Sequence, residues 1–319
     1  MRALPAAIVV LVPVALGLAI ALGSVPMSAG QLAQALAGRG DDALREIVWD
    51  VRVPRALAAF ACGALLALSG ALLQVLLRNP LADPYILGVS GGASVGALLA
   101  LVLGLAATAM RLFALAGAAL AAGAVFAFSR GRAGWNPYRV LLTGVALSAG
   151  CGAIVGLLLS LAPAAQVQGM LYWLLGDLSP AGDPTLALAV LAACTALAWS
   201  RAAALDVVLL GSDKAASLGV DVGRLQAIAF AAATLATVAA VLLGGAIGFV
   251  GLVVPHLLRL AGVRAHRLLV PLSVCAGGSL LVIADTVART ATAPSELPVG
   301  VITALIGVPA LLFLLARVR

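Results

Sequence analysis

Between Arg224 and Arg259 the chain carries no charged side chain, and comparable apolar runs recur along most of its length. A helix crossing roughly 30 Å of hydrocarbon needs about 20 such residues, and its backbone polar groups must be satisfied within the segment itself. This feature restricts the chain to a bundle of membrane helices. The composition agrees: 64% of the residues are hydrophobic and 10% charged, against about 45–50% and 25% in a soluble domain. The 319 residues are therefore read as a number of crossings, within a single transmembrane domain over 1–319.

Apolar runs at 4–22 and at about 55–77, 85–108, 111–129, 139–161, 184–203, 225–246, 268–288 and 298–316 each approach the spanning length. The charge-free stretch 224–259 is too long for one crossing. Gly244, Gly245, Gly248, Gly251 and Pro255 supply a natural break, which predicts one helix to about 246 and a shorter one over about 250–261. The expectation is an all-α polytopic fold of ten transmembrane helices. The first run follows Arg2 as a signal peptide would, but it exceeds an h-region of about 7–15 residues, so a retained helix is expected.

Positive charge orients such a bundle. With both termini cytoplasmic, Arg2, Arg78, Arg130, Arg132, Arg139, Arg201, Lys214, Arg224, Arg259, Arg264, Arg267, Arg317 and Arg319 fall inside, and only Arg39, Arg45, Arg52, Arg55, Arg111 and Arg289 outside. An N-in, C-in topology follows. Residues 165–178 are too short to span and are expected as an interfacial helix on the outside. Residues 204–224 form the longest inside loop. They carry a short helical piece, with Ser212 or Asp213 as N-cap and Gly219 at its C-terminal end. The pairs Gly92/Gly96, Gly152/Gly156 and Gly244/Gly248 predict close helix packing.

Chemistry is sparse. The net charge of +7 comes without a basic block, which excludes nucleic acid as a partner. Cys62, Cys151, Cys194 and Cys275 stand singly in apolar runs, so neither a disulfide framework nor a metal site is expected. Gly88-Val89-Ser90-Gly91-Gly92 fits G-x-S-x-G, but a nucleophile elbow needs a strand before a helix. An intramembrane serine protease pairing Ser90 with His256 is the one catalytic alternative; small residues at a helix entrance are the plainer explanation. His256 and His266 lack a carboxylate cluster and suit hydrogen bonding at helix ends. Lys214, the sole lysine, is not preceded by a glycine-rich phosphate cradle, so any ATP must be used by another chain. No carboxylate stands at mid-membrane; Asp285 lies near the outer end of its helix, followed by Arg289. An ion-coupled carrier is therefore disfavoured.

Several strings then occur together: Arg52-Val53-Pro54-Arg55; Ser69-Gly70 with Gln74; Arg78-Asn79-Pro80-Leu81-Ala82-Asp83-Pro84; Leu87-Gly88-Val89-Ser90-Gly91-Gly92-Ala93. They continue with Leu210-Gly211-Ser212-Asp213-Lys214-Ala215-Ala216-Ser217-Leu218-Gly219, then Gly248-Phe249-Val250-Gly251-Leu252-Val253-Val254-Pro255-His256, and Glu296-Leu297-Pro298-Val299-Gly300. In this order, over roughly 48–317, they resemble the FecCD-type permease subunits of ABC importers for iron chelates, haem and cobalamin.

The resemblance implies a multi-pass subunit of the bacterial inner membrane, working as a homodimer by alternating access. Two ABC ATPase subunits, which hold the ATP and Mg, would dock inside, and a periplasmic substrate-binding protein outside. No cofactor is implied in this chain. An iron chelate, siderophore or haem, is the expected cargo, with cobalamin the alternative. Residues 212–221 correspond to the coupling helices that meet the ATPase, with Ser212, Asp213, Lys214, Ala215, Ser217, Leu218 and Gly219 as the contact set. Arg52 and Arg289 correspond to the arginines that dock the binding protein; Arg55 instead pairs within the bundle or snorkels. Asn79 and Leu81 correspond to the cytoplasmic gate, and Pro255 and His256 to a structural family motif. The opposite inside turn, Asn136-Pro137-Tyr138, departs from the family in carrying a bulky ring.

Overall fold

The computed structural model describes residues 3–131, 134–179 and 182–317; Arg2, Arg132 and Arg319 of the charge pattern lie outside them. The helices are α1 (Ala3–Ala21), α2 (Ala29–Leu36), α3 (Asp42–Glu46), α4 (Val53–Leu76), α5 (Val89–Val102), α6 (Ala107–Ser129), α7 (Pro137–Leu161) and α8 (Ala164–Leu175). They continue with α9 (Thr185–Ser200), α10 (Ala202–Val208), α11 (Ser212–Ser217), α12 (Val222–Gly244), α13 (Val250–Leu260), α14 (His266–Thr290) and α15 (Val299–Arg317). A π-helical turn, Ile47–Arg52, leads into α4, and a 3-10 turn, Pro84–Leu87, precedes α5. The β-structure among the described residues is one antiparallel pair, Arg130–Gly131 with Gly134–Trp135.

Each of the ten apolar segments carries a helix, but their lengths differ from the expectation. Among the described residues six helices are long and apolar enough to cross a membrane, and α9 with α10, bent by 61°, makes a seventh if the pair is one span. The run expected as a full crossing over 85–108 is shortened to the 14 residues of α5. Gly88, at φ +68°, breaks the chain between the 3-10 turn and the helix, and Gly104, at φ +66°, closes its far end. The expected division at 244–251 is present: α12 stops at Gly244, and α13 starts at Val250 behind Phe249 in the left-handed region.

Helix α4 is the core. Every residue from 61 to 76 is buried, as expected of a helix that is apolar all round. It packs against α14, α12 and α13, and small residues set the spacing. A Cβ on Gly63 would lie 2.3 Å from the Gly277 carbonyl oxygen of α14, and one on Gly70 would lie 1.8 Å from that of Gly251 on α13. Neighbouring polar groups fix the register. Ser69 Oγ donates to the Ala233 carbonyl at 2.9 Å, and Gln74 Nε2 to the Leu252 carbonyl at 3.1 Å. The family strings around Ser69-Gly70, Gln74 and Gly251 are thus surfaces of one another.

The glycine pairs part company. Gly92 and Gly96 press on the backbone of α6, at Gly117 and Phe113, whereas Gly150, Gly152 and Gly156 meet no atom within 4 Å. The α7 span is only 11% buried. Its small-residue face therefore has no partner within the described chain, contrary to the expected internal packing.

Candidate functional site

Polar groups gather at the two ends of the α4–α14 pair. At the end marked by the start of α4, Arg55 grips Asp285 of α14, with Nη2 2.9 Å from Oδ1 and Nε 3.2 Å from both carboxylate oxygens. Its Nη1 donates to Glu296 Oε2 at 2.8 Å, and Glu296 also accepts from Ser179 Oγ at 2.8 Å. Arg289, one turn beyond Asp285, keeps Nε 3.6 Å from Asp285 Oδ2 while Nη2 donates to the Ala19 carbonyl of α1. The side chains of Asp285 and Arg289 are only 3% and 6% exposed, so this network is largely desolvated. For Glu296, in the loop before α15, burial raises the carboxyl pKa, but hydrogen bonds from Arg55 and Ser179 outweigh it and the net shift is downward. Tyr172 of α8 closes the group by donating to the Glu296 carbonyl at 3.2 Å.

Arg52 belongs to this end and turns inward. The π-helical turn directs its guanidinium to the C-terminus of α1. There Nη1 donates to the Ile20 and Ala21 carbonyls at 2.8 and 3.1 Å, and Nη2 to the Val25 carbonyl at 2.5 Å. A cation on the last carbonyls of a helix satisfies orphan acceptors and favours the macrodipole. Room comes from Gly23, where a Cβ would lie 2.8 Å from Arg52 Nη2. Arg52 is 3% and Arg289 5% exposed, so both residues expected to meet a soluble partner are held on α1. Arg55 pairs within the bundle.

At the opposite end, α4 finishes in a Schellman turn: Asn79 N–H reaches the Gln74 carbonyl and Arg78 N–H that of Val75, both at 3.1 Å. Arg78 occupies the left-handed position at φ +48°, a conformation normally given to glycine. Asn79 Oδ1 then accepts Leu81 N–H at 2.9 Å, an Asx turn that fixes the Asn-Pro corner. Asn79 is half-buried and Leu81 exposed. Asp83 Oδ1 accepts Tyr85 N–H at 2.8 Å; burial pushes its carboxyl up to about 6, against that hydrogen bond. In the opposite turn, Asn136 Oδ1 caps α7 and leaves Tyr138 81% exposed.

The loop 204–224, expected inside, is more helical than expected, with α10 added ahead of α11. Ser212 is not the N-cap: Gly211 takes that position with no side-chain cap, and the Ser212 hydroxyl accepts from Arg78 instead. The far end follows the expectation. Gly219 at φ +82° and Val220 N–H on the Ala215 carbonyl at 3.0 Å make a Schellman turn. Ala215 is buried beneath it; Asp213, Lys214 and Ser217 are exposed, and Leu218 is 66% exposed.

One contact at this end had no clear sequence signal. Asp206 of α10 accepts both the backbone N–H of His266 at 3.0 Å and its Nδ1 at 2.5 Å, while His266 Nε2 lies 3.4 Å from Arg259 Nη2. Three helices meet on one buried imidazole. Nearby, Trp199 Nε1 donates to the Arg267 carbonyl at 3.1 Å and its ring carries the Arg267 guanidinium 5.3 Å from the centroid.

The protease pairing is not formed. Ser90 is buried, no hydrogen bond joins it to His256 among the described residues, and His256 Nδ1 is buried without a partner. Pro255 is buried within α13. Among the described residues no group of three His, Cys, Asp or Glu could hold a metal ion.

A model of the FecCD transport family matches residues 10–317. A cobalamin import system permease protein BtuC from Halobacterium salinarum is 44% identical over 273 residues, covering 84% of this chain and 73% of the relative. A vitamin B12 import system permease protein BtuC from Escherichia coli is 39% identical over 277 residues, covering 85% and 84%. Among solved structures, a metal-chelate type ABC transporter in an inward-facing conformation superposes with a TM-score of 0.88 at 26% identity, covering 100% of both chains. PsaBC from Streptococcus pneumoniae, in complex with Fab, gives 0.58 at 16% identity over 85% of this chain and 93% of that one, a likeness of fold alone.

Proposed function

The chain belongs to the FecCD transport family as an ABC importer permease, and from that premise we propose that it carries a corrinoid of the cobalamin type across the cytoplasmic membrane. The observation that carries this cargo is the 44% identity to a cobalamin permease over 84% of the chain. The iron chelate expected first from sequence becomes the second reading, favoured by the full-length match at 26% identity to a metal-chelate type transporter. Uptake into proteoliposomes holding this chain, its ATPase and its binding protein distinguishes them. ATP-dependent accumulation of cyanocobalamin, uncompeted by a ferric siderophore or haem, is the expected result; the reverse preference would sink the corrinoid assignment.

In this proposal the chain supplies no catalytic group. ATP and Mg are held by two ATPase subunits, which meet α11 through the exposed Asp213, Lys214, Ser217 and Leu218, with Ala215 and Gly219 shaping the element. Exposed Leu210 and Leu218, 62% and 66% accessible, offer the apolar surface such a contact needs. Asn79 and Leu81 form the inner gate, set by the Asx turn. The bundle crosses ten times with both termini inside.

A second copy of the chain packs on α7, whose open face includes a groove of about 660 Å³ lined by Leu142, Thr143, Ala146, Gly150 and Ile154. The substrate-binding protein docks at the Arg52 and Arg289 end. For those arginines to reach its carboxylates, both must release the α1 carbonyls, so docking and the seating of α1 are alternatives.

A further inference from the structure

The segment 202–217, holding α10 and α11, is fastened to the bundle by side chains at two points. Arg78 donates to the Ser212 hydroxyl, and Asp206 accepts the backbone and imidazole N–H groups of His266. Arg78 sits in the turn that closes α4, two residues past Leu76, and His266 opens α14. These helices touch at Gly63 and Gly277, too closely for a Cβ on either, and Arg55 and Asp285 join their far ends at 2.9 Å. Close-packed interiors do not deform continuously. At a rise of 1.5 Å per residue, His266 and Asp285 stand roughly 30 Å apart on one helix.

We infer that Asp206 and Arg78 are positioning residues for energy coupling. They hold α10 and α11 to the inner ends of α14 and α4, so that displacing this segment moves the helix pair as one body and reaches the network of Arg55, Asp285, Arg289 and Glu296. The inference rests on the importer reading. Asp206 is suited to the task because one oxygen serves two donors of the same residue, fixing the first turn of α14 together with its imidazole. With Nδ1–H so engaged, Nε2 is left to accept from Arg259, which brings in α13. His266 is fully buried while the Asp206 side chain is 37% exposed, so the carboxylate can be removed without opening a core cavity. Arg78 allows an independent cut: glycine adopts its positive φ more readily, and Arg78→Gly deletes the side chain while suiting the backbone.

The test uses the full chain with its ATPase and binding protein in proteoliposomes, with cyanocobalamin as probe. Uptake per ATP hydrolysed is measured beside the thermal midpoint. Asp206→Ala and Arg78→Gly are expected to lower that ratio about fivefold or more. Asp206→Asn, whose Oδ1 still accepts both donors, is expected to stay within about twofold of the unaltered protein. A lowered midpoint with an unchanged ratio would make both residues simple helix caps and overturn the inference. Should Asp206→Ala fail to assemble, Arg78→Gly decides alone. If the unaltered protein accumulates neither cyanocobalamin nor a ferric siderophore nor haem with ATP, the importer reading fails and the inference with it; normal uptake at an unchanged ratio removes the inference only.

Discussion

The two ends of the α4–α14 pair are built from similar residue types in opposite ways. At the Arg55 end, Arg55, Arg289 and Asp285 are largely taken out of water and pair with one another, while Glu296, 29% exposed, closes the network at its margin. At the opposite end the carboxylate of Asp206 stays partly wet and holds an imidazole and a backbone amide, and Arg78 meets a neutral hydroxyl. Desolvated ion pairs are costly to break singly, because the survivor is left as a buried charge. Partly solvated hydrogen bonds exchange with water for about 1 kcal/mol. The Arg55 end thus resists opening, and the Asp206 end exchanges its contacts more readily.

The comparison can be broken most sharply at Asp285. Asp285→Ala leaves Arg55 with Glu296 alone and the buried Arg289 with the Ala19 carbonyl but without its ion-pair partner, and is expected to cost about 3 kcal/mol, read as a large fall in the thermal midpoint in detergent. The double change Arg55→Met with Asp285→Leu removes one charge of each sign but leaves Arg289 and Glu296 without those partners, so it is expected to recover only part of that loss; no recovery would mean the pair is more than a paired charge. Arg52→Ala comes next. Losing a charged donor shared among α1 carbonyls costs about 1.5–3 kcal/mol, and limited proteolysis should then cut near residues 22–28 sooner than in the unaltered protein. If Arg52→Ala weakens binding-protein affinity without loosening α1, docking outweighs the clamp.

At the Asp206 end the expected stability effects are small and, on the importer reading, the functional ones large. Leu218→Glu lies on an exposed position and should leave stability within about 0.5 kcal/mol, while ATPase association measured by co-purification declines. An unchanged yield of complex would count against α11 as the contact. The last test, read from pH dependence, belongs to Asp83. Its carboxyl, pushed up to about 6 from 3.8, binds a proton more tightly folded than unfolded, so its contribution falls as pH rises through about 4 to 6. Asp83→Asn keeps the acceptor for Tyr85 N–H and should flatten the pH dependence of the thermal midpoint in that window; an identical slope would refute the assignment.

Much of this architecture was legible residue by residue. Apolar runs without charge allowed only helices, because transfer free energy and backbone satisfaction are properties of the segment itself. The break between α12 and α13 and the Schellman end of α11 were equally local, written in Gly244, Gly245 and Gly219. Helix lengths were less so: Gly88 turned one expected crossing into a 3-10 turn and the 14 residues of α5.

What the tertiary structure alone decided is which distant groups meet. Arg55 and Asp285 are 230 positions apart, and Asp206 and His266 are 60 apart; no periodicity connects such pairs. Arg52 and Arg55 stand three residues apart, yet one caps α1 and the other pairs with α14, because a π-helical turn ends between them and changes their bearing. Gly92/Gly96 and Gly152/Gly156 share a spacing, yet one pair is sealed by α6 and the other faces away from the chain. Sequence determined what each segment is, since that follows from local hydrogen bonding and hydration. Partnership depends on packing the segments together, and there the desolvation of a charge or the closeness of two backbones chooses among residues that the sequence leaves equivalent.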